Sequence, residues 1–228
     1  MSFILSLETS VDSCSVALHE NGILLHTELI KEPQAHATRL ALLIQTSFQK
    51  VNRSIQQLKA VAITSGPGSY TGLRIGTSTA KGLCFALNIP LLSINTLELL
   101  IYQASFQNPQ KAMLCAMIDA RRMEVYAMLS NSDIVVVEET NAQIIDEHSY
   151  QSVLENQKIL FFGNGAAKCM GVINHPNAIF LEDQIPLASF LGELAFNKFQ
   201  HNQFEDLVHF EPLYLKEFLV KKSTKPLF

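Results

Sequence analysis

The segment Gly66-Pro67-Gly68-Ser69-Tyr70-Thr71-Gly72 joins glycine, hydroxyl and turn-forming residues directly after an apolar run. A glycine-rich turn that feeds a helix N-terminus suits an anion, because unsatisfied N–H groups and the helix dipole point the same way. It departs from the G-x-x-x-x-G-K-[ST] phosphate loop, since Gly72 is followed by Leu73-Arg74. Nor is it a dinucleotide fingerprint. A plain strand-to-helix turn uses the same residues, and both readings stand at this level. Glu8-Thr9-Ser10 also ends an apolar run, where a carboxylate could hold a metal or a nucleotide phosphate, or could be a solvated strand end. Gly163-Asn164-Gly165 offers a second phosphate loop or, again, a turn.

Other reactive types are present without the spacing that chemistry needs. His19, His26, His36, His148, His175, His201 and His209 form no H-x-x-x-H or H-E-x-x-H pair, so no metal site is expected. Cys14, Cys84, Cys115 and Cys169 form no C-x-x-C pair. Each cysteine lies among apolar or small neighbours, as a reduced buried thiol does, which points to a reducing compartment, the cytoplasm. No G-x-S-x-G elbow occurs. None of these residues falls in a recognisable nucleophile or metal-ligand motif.

The elements that carry these segments follow from periodicity. Phe3 to Glu8, Cys14 to Glu20 and Ile23 to Ile30 read as strands, with Asn21-Gly22 as a hairpin turn, because both turn positions tolerate positive φ. A helix is expected over His36 to Val51, with Ala37, Leu40, Ala41, Leu43, Ile44, Phe48 and Val51 on one wide stripe and Leu42 outside it. Val61 to Thr64 is a buried strand that enters the glycine loop. The helix that follows lasts to about Leu87, Leu91 to Ile94 is a strand, and Thr96 to Ala104 is a helix. The order is βββαβαβα over residues 1–104. Ser105 to Lys111 reads as a linker. Strands then restart at Ala112 to Ile118, Glu124 to Leu129, Ile134 to Glu138 and Ile159 to Phe162, with a helix from about Pro186 to Phe199. Residues 105–228 thus form a smaller α/β unit with a tail.

The helix after the glycine loop contains Gly72, Gly76 and Gly82, although glycine in a helix interior costs about 1 kcal/mol relative to alanine. Gly72, Gly76, Ala80 and Cys84 step by four and form a ridge of small side chains, which Leu83 and Leu87 extend. Such a ridge admits a close neighbour, either helix 36–51 of the same chain or a helix of a partner.

Composition bounds the partners. The chain has 228 residues, 48% of them hydrophobic and 17% charged, which is far from disorder. Its longest apolar run, Ala112 to Ile118, is too short for the roughly 20 residues of a membrane span, and the N-terminus lacks the basic start of a signal peptide. No membrane association is expected. Net charge is −4. The positive cluster at the end, Lys216, Lys221, Lys222 and Lys225 against Glu217, could touch phosphate but reads first as a solvated tail.

Ile4-Leu5-Ser6-Leu7-Glu8-Thr9-Ser10 with Cys14-Ser15-Val16-Ala17-Leu18 resembles the opening of the bacterial TsaB (YeaZ) family. His36 and Leu40 fit that family's first helix. Residues Ala62 to Gly76 are a near-complete match to its most specific signature. The stretches from Ile89-Pro90 to Leu97-Glu98 and from Asp119 to Tyr126, and Pro212-Leu213-Tyr214-Leu215, match in order, so the resemblance spans nearly the whole chain. Glu8, Ala37 and Lys216 stand where the family usually has Asp, Ser and Arg.

The resemblance implies an actin/Hsp70/sugar-kinase-like (ASKHA) fold of two related α/β subdomains. It implies a part in making N6-threonylcarbamoyladenosine at position 37 of tRNA. The catalytic paralogue TsaD transfers the threonylcarbamoyl group from an adenylate made by another enzyme. TsaB-like proteins bind TsaD, form a homodimer when alone, and are joined by the ATPase TsaE. TsaD proteins carry a His-Leu-Glu-Gly-His metal motif where this chain has Thr96-Leu97-Glu98-Leu99-Leu100. Threonine and leucine cannot replace two imidazole ligands, so the resemblance implies a non-catalytic partner, with no catalytic residue, metal or cofactor of its own, that meets tRNA only indirectly, through the complex. In this family helices 36–51 and 71–87 form the interface, which with the small-residue ridge nominates His36, Arg39, Leu40, Leu43, Gly72, Gly76, Ala80 and Leu83. Gly66, Pro67, Gly68, Ser69, Thr71 and Gly72 carry the loop signature. The alternatives are an ATP-using, kinase-like enzyme of the same fold, which Glu8 and Gly163 to Gly165 would serve, and a metallopeptidase, which the missing histidines disfavour.

Overall fold

The computed structural model describes residues 2–32 and 36–216. Phe3–Glu8 (β1), Cys14–Glu20 (β2) and Ile23–Ile30 (β3) form the expected antiparallel meander. Asn21 and Gly22 turn the chain with φ values of 51° and 81°, the left-handed pair that a two-residue hairpin requires. His36–Val51 (α1), Ala60–Gly66 (β4), Tyr70–Leu87 (α2), Leu91–Asn95 (β5) and Thr96–Ser105 (α3) follow. β4 pairs parallel with β1, and β5 parallel with β4, so the sheet runs β3-β2-β1-β4-β5.

The second half repeats this plan. Met113–Asp119 (β6), Glu124–Ser130 (β7) and Val136–Ile144 (β8) form a meander. After the short helix Gln151–Leu154 (α4), Ile159–Phe162 (β9) and Ala178–Leu181 (β10) add in parallel. The order β10-β9-β6-β7-β8 is that of the first sheet, read from the other edge with each strand advanced by five. The sequence placed β8 at Ile134 to Glu138. It lies further on because residues 139–144 belong to an edge strand, where polar side chains face water. β10 has four half-buried residues and gave no periodic signal.

Both faces of the first sheet are covered. On one, Leu40, Leu43, Ile44 and Phe48 of α1 with Ala80 and Cys84 of α2 pack on Leu5, Leu7, Val16, Leu18, Val61 and Ile63. On the other, Leu191 and Ala195 of Ala188–Gln200 (α5) pack on Ile4, Ala60, Ala62, Leu92 and Ile94. All of β1 is buried for this reason, which is why it reads as an unbroken apolar run. α5 follows the second sheet in the chain, within residues 105–228, yet lies on the sheet of residues 1–104. α3 covers one face of the second sheet, where Leu97, Leu100, Ile101 and Ala104 meet Leu114, Ala116, Ile118 and Phe162.

All four cysteines are buried free thiols, and burial pushes Cys14 and Cys115 up to about 12. No helix among the described residues is long and apolar enough to cross a membrane. Beyond α5 the chain runs back past β5, where the Glu205 N–H donates to the Leu91 carbonyl at 2.9 Å. Of the lysine-rich end, Lys216 is described; Lys221, Lys222 and Lys225 lie outside the described residues.

Candidate functional site

The turn after β1 is closed on itself. The Glu8 carboxylate is fully buried, and its Oε1 accepts from the Ser10 N–H at 2.6 Å and the Ser10 hydroxyl at 2.5 Å. Its Oε2 is buried as well. His36, first in α1, reaches the same turn, with Nε2 at 2.8 Å from the Val11 carbonyl and 3.1 Å from that of Ser13. Burial holds the Glu8 carboxyl above its ordinary value of 4.5, against the opposing hydrogen bonds from Ser10 and Thr64. A carboxyl raised in the folded state binds its proton more tightly there than in the unfolded chain. Its effect on stability is therefore most favourable below pH 4.5, and is lost as pH rises toward the folded value. Glu8→Gln removes the charge, so its thermal midpoint should exceed that of the native chain at pH 8, with the gap closing near pH 5. A gap of constant size in parallel melts would contradict the buried-carboxyl account.

The glycine loop lies directly on this turn. Ser69 N–H donates to the Ser10 carbonyl at 2.6 Å, and Ser69 Oγ caps α2 by accepting from Gly72 N–H at 3.3 Å. A Cβ at Gly68 would collide with the Ser10 backbone, one at Gly72 with the Thr9 carbonyl, and one at Gly76 with the Thr9 hydroxyl. The matching Pro212 to Leu215 segment docks above the loop. Leu213 N–H donates to the Ser65 carbonyl at 2.7 Å, the Tyr70 and Tyr214 rings lie 5.0 Å apart, and the Arg74 guanidinium stacks 4.0 Å from the Tyr70 centroid. The loop is thus clasped between two parts of its own chain, and the Ser10 carbonyl takes up the Ser69 N–H that an anion would otherwise use. Gly163 to Gly165 repeats the arrangement: Asn164 Oδ1 accepts from Asp119 N–H at 3.0 Å, and Gly163 leaves no room for a Cβ beside the Met117 carbonyl.

These contacts correct the nominated interface. His36, Leu40, Leu43, Gly72, Gly76 and Ala80 are all buried inside the chain. The small-residue ridge serves a close approach, but its neighbour is the β1–β2 turn and the core rather than a second protein. Of the nominated residues, Arg39 is exposed and Leu83 half-buried. The outer faces of α1 and α2 instead present Leu42, 49% exposed, and Phe85, 83% exposed, with Ala41, Gly82 and Ala86 also exposed. Leu42 was legible as the one leucine outside the α1 stripe; Phe85 sits on a helix apolar on several sides and had no such signal.

Thr96 and Leu100 are buried, Leu100 within the apolar cluster of α3 and β6. Leucine has no donor atom, and the position is core. Among the described residues no three His, Cys, Asp or Glu side chains are placed to hold a metal ion.

The family model for TsaD, tRNA N6-adenosine threonylcarbamoyltransferase, matches residues 31–225. The tRNA threonylcarbamoyladenosine biosynthesis protein TsaB of Escherichia coli K12 is 30% identical over 225 residues, 93% of this chain and 94% of its own length. A tRNA N6-adenosine threonylcarbamoyltransferase of Phocaeicola vulgatus is 25% identical over 70% of this chain but 52% of its own length. A Pseudomonas aeruginosa crystal structure described as similar to peptidase YeaZ superposes with a TM-score of 0.83 at 26% identity, over 95% of this chain and all of that one. The shared architecture is the ASKHA-like fold of those proteins.

Proposed function

The chain belongs to the TsaB (YeaZ) family, and from that premise we propose that it is the non-catalytic subunit of the machinery that places N6-threonylcarbamoyladenosine in tRNA. The observation that carries this reading is the fate of the paralogues' metal position. Thr96 and Leu100 are buried here, and neither can take the part of an imidazole ligand. The scaffold is kept and the transferase chemistry belongs to a TsaD-like partner.

The partner docks on the outer faces of α1 and α2, through Leu42 and Phe85 with Arg39, Ala41, Gly82, Leu83 and Ala86 around them. A phenylalanine left 83% exposed on a soluble domain supports this placement. Alone, the chain uses the same face for an isologous homodimer. A TsaE-like ATPase completes the assembly, which works in the cytoplasm, in keeping with four buried free thiols. The test is reconstitution with the same organism's transferase, ATPase and adenylate-forming enzyme, with and without this chain. Modified tRNA that requires the chain supports the reading, and full modification without it overturns it.

A further inference from the structure

Beyond α5 the chain follows α2 back toward the glycine loop. It starts at the β5 edge, where Glu205 Oε1 accepts from the Ser93 hydroxyl at 2.5 Å. Leu207 and Phe210 then turn inward and pack against the core of the first sheet. Between them the backbone closes a turn. Asp206 Oδ1 accepts from the Val208 N–H at 2.8 Å and the His209 N–H at 3.2 Å. The Asp206 carbonyl accepts from the Phe210 N–H at 2.8 Å. Lys81 of α2 fastens the turn, its Nζ donating to the Val208 and Phe210 carbonyls at 3.1 Å each. Val208 is left at the tip, 78% exposed.

Among the described residues, Phe85 and Val208 are the two most exposed large apolar side chains. The helix puts Phe85 on the side of α2 that this segment follows. Arg74, Lys81 and Phe85 lie within about 40° of one another at 3.6 residues per turn. Arg74 and Lys81 both bond the segment, Arg74 through the Tyr214 hydroxyl at 3.3 Å. Phe85 comes one turn after Lys81. Next to it Gly82 leaves the helix bare, with nothing within 4 Å of where a Cβ would stand. The bonds that hold the 206–210 turn use the backbone of residue 208 and not its side chain, so the turn itself does not require a valine there.

We infer that the footprint of the transferase runs from α2 onto the 206–210 turn, so that apolar side chains of the partner close over Phe85 and Val208 together. The inference rests on the proposed docking of that partner on α2, and carries the contact beyond the two helices. A contiguous exposed apolar patch marks a protein contact, whereas single apolar side chains do not. Bare Gly82 lets a helix of the partner come close beside the pair. The turn is held by its own hydrogen bonds before docking, so little ordering entropy is lost when Val208 is covered. Asp206 and Glu211 flank the tip and are exposed, which repels a nucleic-acid backbone and leaves a protein surface as the occupant.

The experiment titrates the same organism's purified transferase with this chain by calorimetry, beside thermal melts of each variant. V208E should weaken binding about tenfold or more, with its melt unchanged because the side chain is exposed. I144E alters a side chain 75% exposed on β8 of the other sheet, and should stay within about twofold of the native chain. Native affinity in V208E, with affinity lost in F85E, would overturn the inference and leave the helical interface standing. Equal losses in V208E and I144E would also overturn it. So would loss of self-association alone in V208E, which would assign the turn to a second copy of this chain. A native chain that does not bind the transferase would overturn this inference together with the proposed function.

Discussion

Phe85→Glu should reduce the affinity of the chain for its transferase about a hundredfold or more, with little change in its own stability. Phe85 is 83% exposed in the isolated chain, and burying a phenylalanine against a partner contributes about 1.5–3 kcal/mol. Truncating a central aromatic anchor commonly costs 2 kcal/mol or more. Glutamate adds an unpaired carboxylate that must lose its water on docking. A loss of about 3 kcal/mol is about a hundredfold in Kd. The folded monomer should be nearly indifferent. Glutamate forms helix better than phenylalanine, which offsets the few tenths of a kcal/mol that a negative charge costs in the last turn of α2. Binding isotherms beside thermal melts make the measurement. A variant that binds the transferase as tightly as the native chain would remove this face from the interface.

Gly72→Ala and Gly82→Ala place the same methyl group in the same helix and should have opposite signs. At Gly72 the new Cβ would fall on the Thr9 carbonyl, which is backbone and cannot swing aside. Forcing an extra carbon into such a contact costs about 3 kcal/mol, the upper end of ordinary overpacking. In a chain of 228 residues that lowers Tm by about 6–12 °C. At Gly82 nothing lies within 4 Å of the new atom, and replacing glycine by alanine in an exposed helix stabilises by about 0.5–1 kcal/mol. Parallel urea unfolding reads both. Two shifts of the same sign would mean that the ridge does not close on the β1–β2 turn.

The same helix marks where the sequence stopped being legible. Spacing by four at Gly72, Gly76, Ala80 and Cys84 announced a close approach but could not name the neighbour, because Thr9 lies more than sixty residues upstream. Local patterns were read well where chemistry is local: Asn21-Gly22 required its turn, and Leu40, Leu43, Ile44 and Phe48 of the α1 stripe are buried, although Ala37 and Ala41, placed on the same stripe, are exposed. β8 was misplaced because an edge strand tolerates polar residues, and α5 gave no sign that it would cross to the first sheet. The His36 ring, nominated for a partner, binds carbonyls of the turn instead. Leu42, set aside by the helical wheel, is among the large apolar residues left exposed.

The most direct measurement adds increasing amounts of the chain to a fixed quantity of its transferase, with the ATPase, adenylate-forming enzyme and unmodified tRNA in excess, and follows threonylcarbamoyladenosine. The account predicts almost no modification without the chain, a rise that saturates at one chain per transferase, and no transfer by the chain alone. Modification at full rate in the absence of the chain, or transfer by the chain without the transferase, would contradict it.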